Sequence, residues 1–429
     1  MKQFSALAAL VAAFLMITQS TFAWSNHYLF NRAALEALPE LASAPKVKVE
    51  RLEDFLLKEQ ASLAAALDQI EAEAKEAFPK AAPRPNALAF RGGDASNIRA
   101  NFLRAIRVNP GTPLGYFLQQ VPGQPLAGKK SDPNTVSIFG EKDLKRKYNF
   151  YDVKIGQAVS PVEVVATAGD EPDFGLDINL FEDNDSEFGK QYGFGKQSFG
   201  NPKLYYGTQA PFHIGYYHES GIIFLAAGFL KRTYPQYRVH QFLNLARHAF
   251  KTGHPYWGYR FLGWGLHYVG DLTQPYHARV LPNYGTMGML WINTKAMIGF
   301  DGAKNDAIDR ITARHTQIEE YHYSVLAEAY RTKNLEHPML KAVTAIDKDQ
   351  TYGPFDANYI IKKLTDESYE VSDSVDTLID ESNLLKGFSE GNLLPEANQK
   401  SLAELDKVIT THMGGVGAHL RNYVRAGLK

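Results

Sequence analysis

Two prolines, Pro255 and Pro275, bracket the stretch that most limits how this chain can fold. Tyr237 to Lys251 is amphipathic at helical spacing and stops at Gly253, and Pro255 then opens a second helix through Trp257, Tyr259, Phe261, Leu262, Trp264 and Leu266. On that second helix His267 and Asp271 are four residues apart, so both side chains leave from one face, close enough to share a metal. Pro275 has no amide hydrogen and its ring opposes the carbonyl of Asp271, so the helix must bend or end there. His277 is then placed to turn toward a second metal. A single His on an aromatic helix is more often a packing residue, but His, Asp, Pro and His together at this spacing point to ligation.

Helical periodicity elsewhere outlines the rest of the fold. Leu52, Leu56, Leu63, Leu67 and Ile70 recur at helical steps and predict one amphipathic helix from Leu52 to Phe78. Eight of the 21 prolines then fall between Pro79 and Pro133, and residues 79–160 read as an irregular insertion. The acid- and glycine-rich segment Glu182–Gly200 reads as a solvated loop, because the regular spacing of a calcium loop is absent. Helical signals hold from about residue 236 to 330 and return at Tyr359–Leu364 and Leu402–Tyr423. The expectation is an all-α fold: one mostly helical domain over residues 24–429, with 335–429 as a C-terminal helical extension.

With 429 residues, 45% hydrophobic and 22% charged, the chain can bury a large core, which excludes disordered and low-complexity classes. Forty-six basic residues face 47 acidic ones, so no global field attracts nucleic acid or an anionic membrane. The absence of cysteine excludes disulfides, thiolate zinc sites and a cysteine nucleophile. Any transition metal must therefore be held by His, Asp, Glu or backbone groups.

Residues 1–23 carry Lys2, an apolar run from Leu7 to Ile17, and small residues at the two positions that a signal peptidase reads, Thr21 and Ala23. This is a cleavable secretory signal in pattern, with a run shorter than the roughly 20 residues of a membrane-spanning helix. Cleavage after Ala23 makes Trp24 the new amino terminus and frees its amine as a ligand. The expected location is outside the cell or in the periplasm.

Further candidates surround the central motif. His315 and Glu319 repeat the four-residue spacing within the helix-like stretch Ile311–Tyr330. Upstream stand Asp173, with Asp170 as its rival, and His213, with His218 as its rival. Asp173 is preferred because it lies between Pro172 and Phe174, and His213 because Ile214 follows it, whereas Glu171 and Glu219 follow the rivals. His27 comes three residues after the predicted new terminus.

These residues resemble the secreted zinc-dependent phospholipase C family, whose helical fold is shared with fungal single-strand-specific nucleases and 3′-nucleotidases. The family signature HYxGDxxQPxH is met by His267, Tyr268, Gly270, Asp271, Gln274, Pro275 and His277, and a later HxxxE by His315 and Glu319. An amino-terminal Trp followed by an early His corresponds to Trp24 and His27. The resemblance covers roughly residues 24–33, 165–175, 210–215 and 240–330. It implies three zinc ions: Trp24, His27 and Asp271 on one; Asp173, His213, His267 and Asp271 on a second; His277, His315 and Glu319 on the third. Asp271 would bridge two of them, and Asp173 would serve as catalytic general base besides ligating.

The implied activity is a phospholipase C acting on glycerophospholipids at a membrane surface, with no stable nucleic acid partner. A zinc-dependent single-strand nuclease or 3′-nucleotidase is the first alternative; it requires aromatic rings that stack a base, for which Phe212, Tyr216 and Tyr217 are candidates, as they are for cradling a choline. A non-enzymatic secreted zinc-binding protein is the second, and closed four-ligand sites would favour it. Metalloprotease HExxH and Walker motifs are absent, and the paired ExxH of di-iron bundles is not met, since ExxH occurs once, from Glu319 to His322.

Overall fold

The computed structural model describes residues 27–140, 149–389 and 392–429, so the predicted leader at 1–23 and Trp24 lie outside the described residues. The longer helices are α1 (His27–Glu36), α2 (Leu52–Lys58), α3 (Gln60–Ala77), α4 (Ile98–Ala105), α5 (Pro161–Ala168) and α6 (Pro235–Lys251). They continue as α7 (Pro255–Asp271), α8 (Thr286–Met297), α9 (Gly302–Arg331), α10 (Pro338–Thr344), α11 (Thr365–Glu381) and α12 (Gln399–Leu428). Strand content among the described residues is confined to three antiparallel pairs of two or three residues per strand. The fold is all-α in character, as the periodicity predicts.

Helix α7 is the axis of the molecule. Every residue from Tyr256 to Asp271 is buried, with α6, α5 and α12 packed around it. Proline at the first turn starts α7 without losing an internal hydrogen bond. The preceding helix stops as predicted. Gly253 takes a left-handed φ of 84°, its N–H bonds to the carbonyl of Phe250, and the His254 N–H reaches back to that of Ala249. Gly263 permits the close crossing of α5 over α7: an added Cβ would lie 2.6 Å from the Val165 carbonyl oxygen and 2.5 Å from Ala168 Cβ. Trp257, Phe261 and Trp264 fill the space on the other sides, and burying an aromatic ring of this kind stabilises by roughly 1.5–3 kcal/mol or more.

The single helix expected over Leu52–Phe78 is two helices, α2 and α3, broken at Glu59, whose φ and ψ are −106° and 16°. The break places the Glu59 carboxylate 3.5 Å from His254, which also bonds Glu50 at 2.7 Å, so a buried imidazole gains partners that a continuous helix would not supply. Residues 79–140 and 149–160 are largely irregular but include α4, and Phe90, Ile98, Phe102 and Leu103 join the same apolar core as α7. In Glu182–Gly200 the acids Glu182, Asp183, Asp185 and Glu187 are exposed, as a solvated loop requires. The segment nevertheless contains a short helix, Glu187–Tyr192, and buries Tyr192, Phe194 and Phe199. Residues beyond 335 also pack into the main core: Val375, Ile379, Leu405, Ile409 and Tyr423 are fully buried. No described helix is long and apolar enough to cross a membrane.

Candidate metal centre

At the C-terminal end of α7 the backbone does what Pro275 demands. The helix ends at Asp271, the carbonyl of Asp271 accepts from the Gln274 N–H at 2.9 Å, and a new helical turn, Pro275–Ala278, starts with the Gln274 side chain capping the Tyr276 N–H at 2.6 Å. His267 and Asp271 therefore share one face of α7, and His277 approaches from the next element. The first residue of α1, His27, descends onto the same face. Its ring centroid is 4.2 Å from that of His267, and an added Cβ at Gly270 would sit 2.7 Å from His27 Nδ1. Glycine at position 270 is thus what lets the His27 ring approach.

Asp271 is the hinge of the arrangement. Its Oδ2 stands 2.8 Å from His213 Nδ1 and 3.1 Å from His267 Nε2, while Oδ1 stands 3.3 Å from His27 Nε2 and 4.0 Å from His277 Nδ1. Asp173 Oδ1 lies 3.7 Å from both His213 Nδ1 and His267 Nε2. On the far side His277 Nε2 is 3.1 Å from His315 Nε2, which is 2.7 Å from Glu319 Oε1. Three buried groups that could hold a metal ion result: His27, His267 and Asp271; Asp173, His213 and His267; and His277, His315 and Glu319.

The donor set fits a bound cation. Both oxygens of Asp271, both ring nitrogens of His27, Asp173 Oδ1 and His277 Nδ1 are buried without a well-formed hydrogen bond. Orphaned buried groups at this density are costly unless something positive satisfies them. His267 Nδ1 donates to the Gly169 carbonyl at 2.7 Å, which leaves Nε2 as the lone-pair nitrogen facing Asp271. All-N/O donation suits zinc and similar divalent ions and needs no thiolate.

Electrostatics follow from burial. Desolvation, aided by the neighbouring His267, pulls His27 down to about 4, so it stays neutral and able to ligate. Burial, reinforced by His315, also holds His277 well below the ordinary histidine range. For His213 burial opposes charge, but Asp271, Asp177 and Asp173 outweigh it and push the imidazole up to about 10. Desolvation raises Asp173 to about 6 against the pull of His267 and His213. Asp173 is also the candidate ligand most open to solvent among those described, with 12% of its side chain exposed.

Of the rivals, Asp170 accepts the His27 backbone N–H at 2.7 Å and so caps the start of α1, while His218 turns away to Thr365 at 2.9 Å and Asp366 at 3.8 Å. Phe212 is fully buried against Tyr234, with centroids 4.9 Å apart, and Tyr216 is buried beside Phe199. Neither ring is free to stack a base or cradle a choline.

Several supporting residues escape a reading of motifs. Asp177 Oδ2 accepts from Tyr268 Oη at 2.5 Å and lies 3.5 Å from His213 Nε2, and Asp177 Oδ1 is gripped by Arg238 at 2.6 Å and 3.1 Å. Tyr268 thereby orients a carboxylate that in turn orients His213. Gln274 Nε2 donates to Glu319 Oε1 at 3.0 Å and fixes the third group. The only trace of Asp177 in the sequence is its four-residue spacing from Asp173. Asp177→Asn is expected to lower metal affinity or activity about 10- to 100-fold while the fold persists. Metal titration of the variant checks this; affinity equal to that of the parent would show that His213 needs no such partner.

Comparison with protein-family models, curated proteins and solved structures finds no match. The functional reading stands on the donors and their arrangement.

Proposed function

We propose that this chain is an exported zinc metallo-phosphodiesterase, a phospholipase C that hydrolyses glycerophospholipids such as phosphatidylcholine to diacylglycerol and a phosphorylated head group. The observation that carries the reading is Asp271, which presents one carboxylate oxygen to each of two donor groups while a third group lies alongside. Asp173, His213, His267 and Asp271 Oδ2 would hold one zinc, His27 and Asp271 Oδ1 a second together with Trp24, and His277, His315 and Glu319 a third. Zinc bound there would neutralise charge developing on the phosphoryl oxygens and acidify water at neutral pH.

The residues of the chain do the rest. His267 and His213 are held in ligating orientation by the Gly169 carbonyl and the Asp177 carboxylate. Asp173 would ligate through Oδ1, which faces His213 and His267, and its second oxygen, on a side chain 12% exposed, would take the proton of an attacking water. That water adds to phosphorus, the bond from phosphorus to the glycerol oxygen breaks, and the diacylglycerol oxygen leaves with a proton.

Zinc-replete mature protein is expected to release diacylglycerol from phosphatidylcholine liposomes, to leave single-stranded DNA intact, and to lose the lipase activity in His267→Ala. Nucleotide release alone would move the assignment to a nuclease, and activity on neither substrate despite bound zinc would leave a structural metal site.

A further inference from the structure

Helix α8 breaks the rule that a surface helix is apolar on one face only. Met289 and Ile292 are buried in a small satellite core with Ile223, Val280 and Leu281, yet the opposite face carries Met287, Trp291 and, at the helix end, Ile298, which fall within about 40° of one another around the axis. These three are 75%, 61% and 68% exposed. Phe300, just beyond, is 68% exposed, and on the neighbouring helical turn Gly221–Ala226 Leu225 is 87% and Ile222 56% exposed. Scattered exposed apolar residues are ordinary; six large ones gathered on two adjoining helices and the residues just after α8 are not.

The charges around them are one-sided. Residues 220–235 and 285–300 contain Lys231, Arg232 and Lys295 and no acid; of the acids that adjoin them, Glu219 is buried on the Val280 N–H and Asp301 is paired with Lys304 at 3.2 Å. Lys295 lies over the Trp291 ring at 5.1 Å and Lys231 over Phe224 at 4.5 Å. An apolar tip flanked by aromatic rings with lysines beside them is the pattern of a surface that sinks to the acyl boundary and leaves ammonium groups among phosphates. A second copy of the chain is poorly matched, because pairing this face with itself would bring like charges together without an acidic partner.

The cap is also tied to the metal donors. Ile214, which follows His213, and Val280, three residues after His277, belong to the same satellite core. The Gly215 N–H bonds the His277 carbonyl at 2.9 Å, the Val280 N–H bonds Glu219 Oε1 at 2.9 Å, and Thr286 bonds Ser220 at 3.2 Å.

We propose that α8 and the turn Gly221–Ala226 form a membrane-docking cap that seats Leu225, Met287, Trp291, Ile298 and Phe300 in the headgroup region of a bilayer containing anionic phospholipid. The proposal deepens the phospholipase reading and rests on it for its purpose, while the docking itself is measurable without catalysis. The test uses the mature chain carrying His267→Ala, so that the bilayer is not consumed, with vesicles of phosphatidylcholine alone and of phosphatidylcholine mixed with phosphatidylserine. The chain is expected to co-sediment with both and more strongly with the mixture, and its Trp emission should shift to the blue, a shift that Trp291→Phe removes. Adding Leu225→Ser, Trp291→Ser and Phe300→Ser together should weaken vesicle binding by about tenfold or more. In the otherwise unsubstituted chain the same three changes should leave turnover of a soluble chromogenic phosphodiester within about twofold, because they touch no donor.

Vesicle binding equal to that of the parent, or a parent that does not bind, overturns the proposal. So does a parent that dimerises through this face, seen as a change of mass in light scattering upon the triple substitution with vesicle binding unaltered. If binding is lost as expected but the active chain releases no diacylglycerol, the docking cap stands and the phospholipase reading falls.

Discussion

Asp271→Ala is expected to abolish two metal positions with one substitution and to lower phosphodiester turnover by about three orders of magnitude or more. The reason lies in how the carboxylate is divided: Oδ2 serves the side of His213 and His267, and Oδ1 the side of His27. Without it, three imidazoles face one another with a single carboxylate, Asp173, to offset any cation between them. The third group, His277, His315 and Glu319, keeps its own carboxylate and should retain its ion. Elemental analysis of the purified variant should therefore find about one zinc in place of three, and circular dichroism should find the helices intact. Three equivalents of metal with activity within about tenfold of the parent would refute the bridging role.

Arg238→Ala should have the largest effect on stability, about 3–5 kcal/mol. The guanidinium is fully buried beneath Phe212. It makes two contacts with Asp177 and donates to the carbonyls of Ile106 and Arg107 and to Gln241, each at 2.8 Å. Truncation leaves the buried Asp177 charge with only Tyr268 and the edge of His213, takes the side-chain donor from the Arg107 carbonyl, and leaves the Ile106 carbonyl to Gln241 at 3.2 Å. Arg238→Lys should recover only part of the loss, since an ammonium cannot span the same fork of acceptors. Urea unfolding with unchanged slope and a lowered midpoint is the expected record, and a midpoint equal to the parent's would mean that Asp177 finds another partner. The two predictions read different links: Asp271 tests the chemistry of the cluster, Arg238 the scaffold that aims His213 into it.

Much of this site was legible because its spacing is local. His267 and Asp271 lie four apart on a helix whose start and stop are written in Pro255, Gly253 and Pro275, and His315 and Glu319 repeat the spacing on α9. The break at Glu59 was not legible, because the apolar period runs through it unchanged. It follows from the partners that His254 finds, a demand made across about two hundred residues of chain.

What the amino-acid order determined by itself is therefore the helical class, the ends of α6 and α7, the chemical type of the donors, and which pairs share a face, since these depend on dihedral preference and periods of a few residues. Only the tertiary structure decided that Asp173 rather than Asp170 meets His213 and His267, that His27 enters over Gly270, and that Tyr268, Asp177 and Arg238 form one chain of support. It also decided that α8 turns an apolar face to solvent. Those outcomes depend on which helices cross and how closely, and crossing is set by side-chain volume packed around α7, a property that no local period carries.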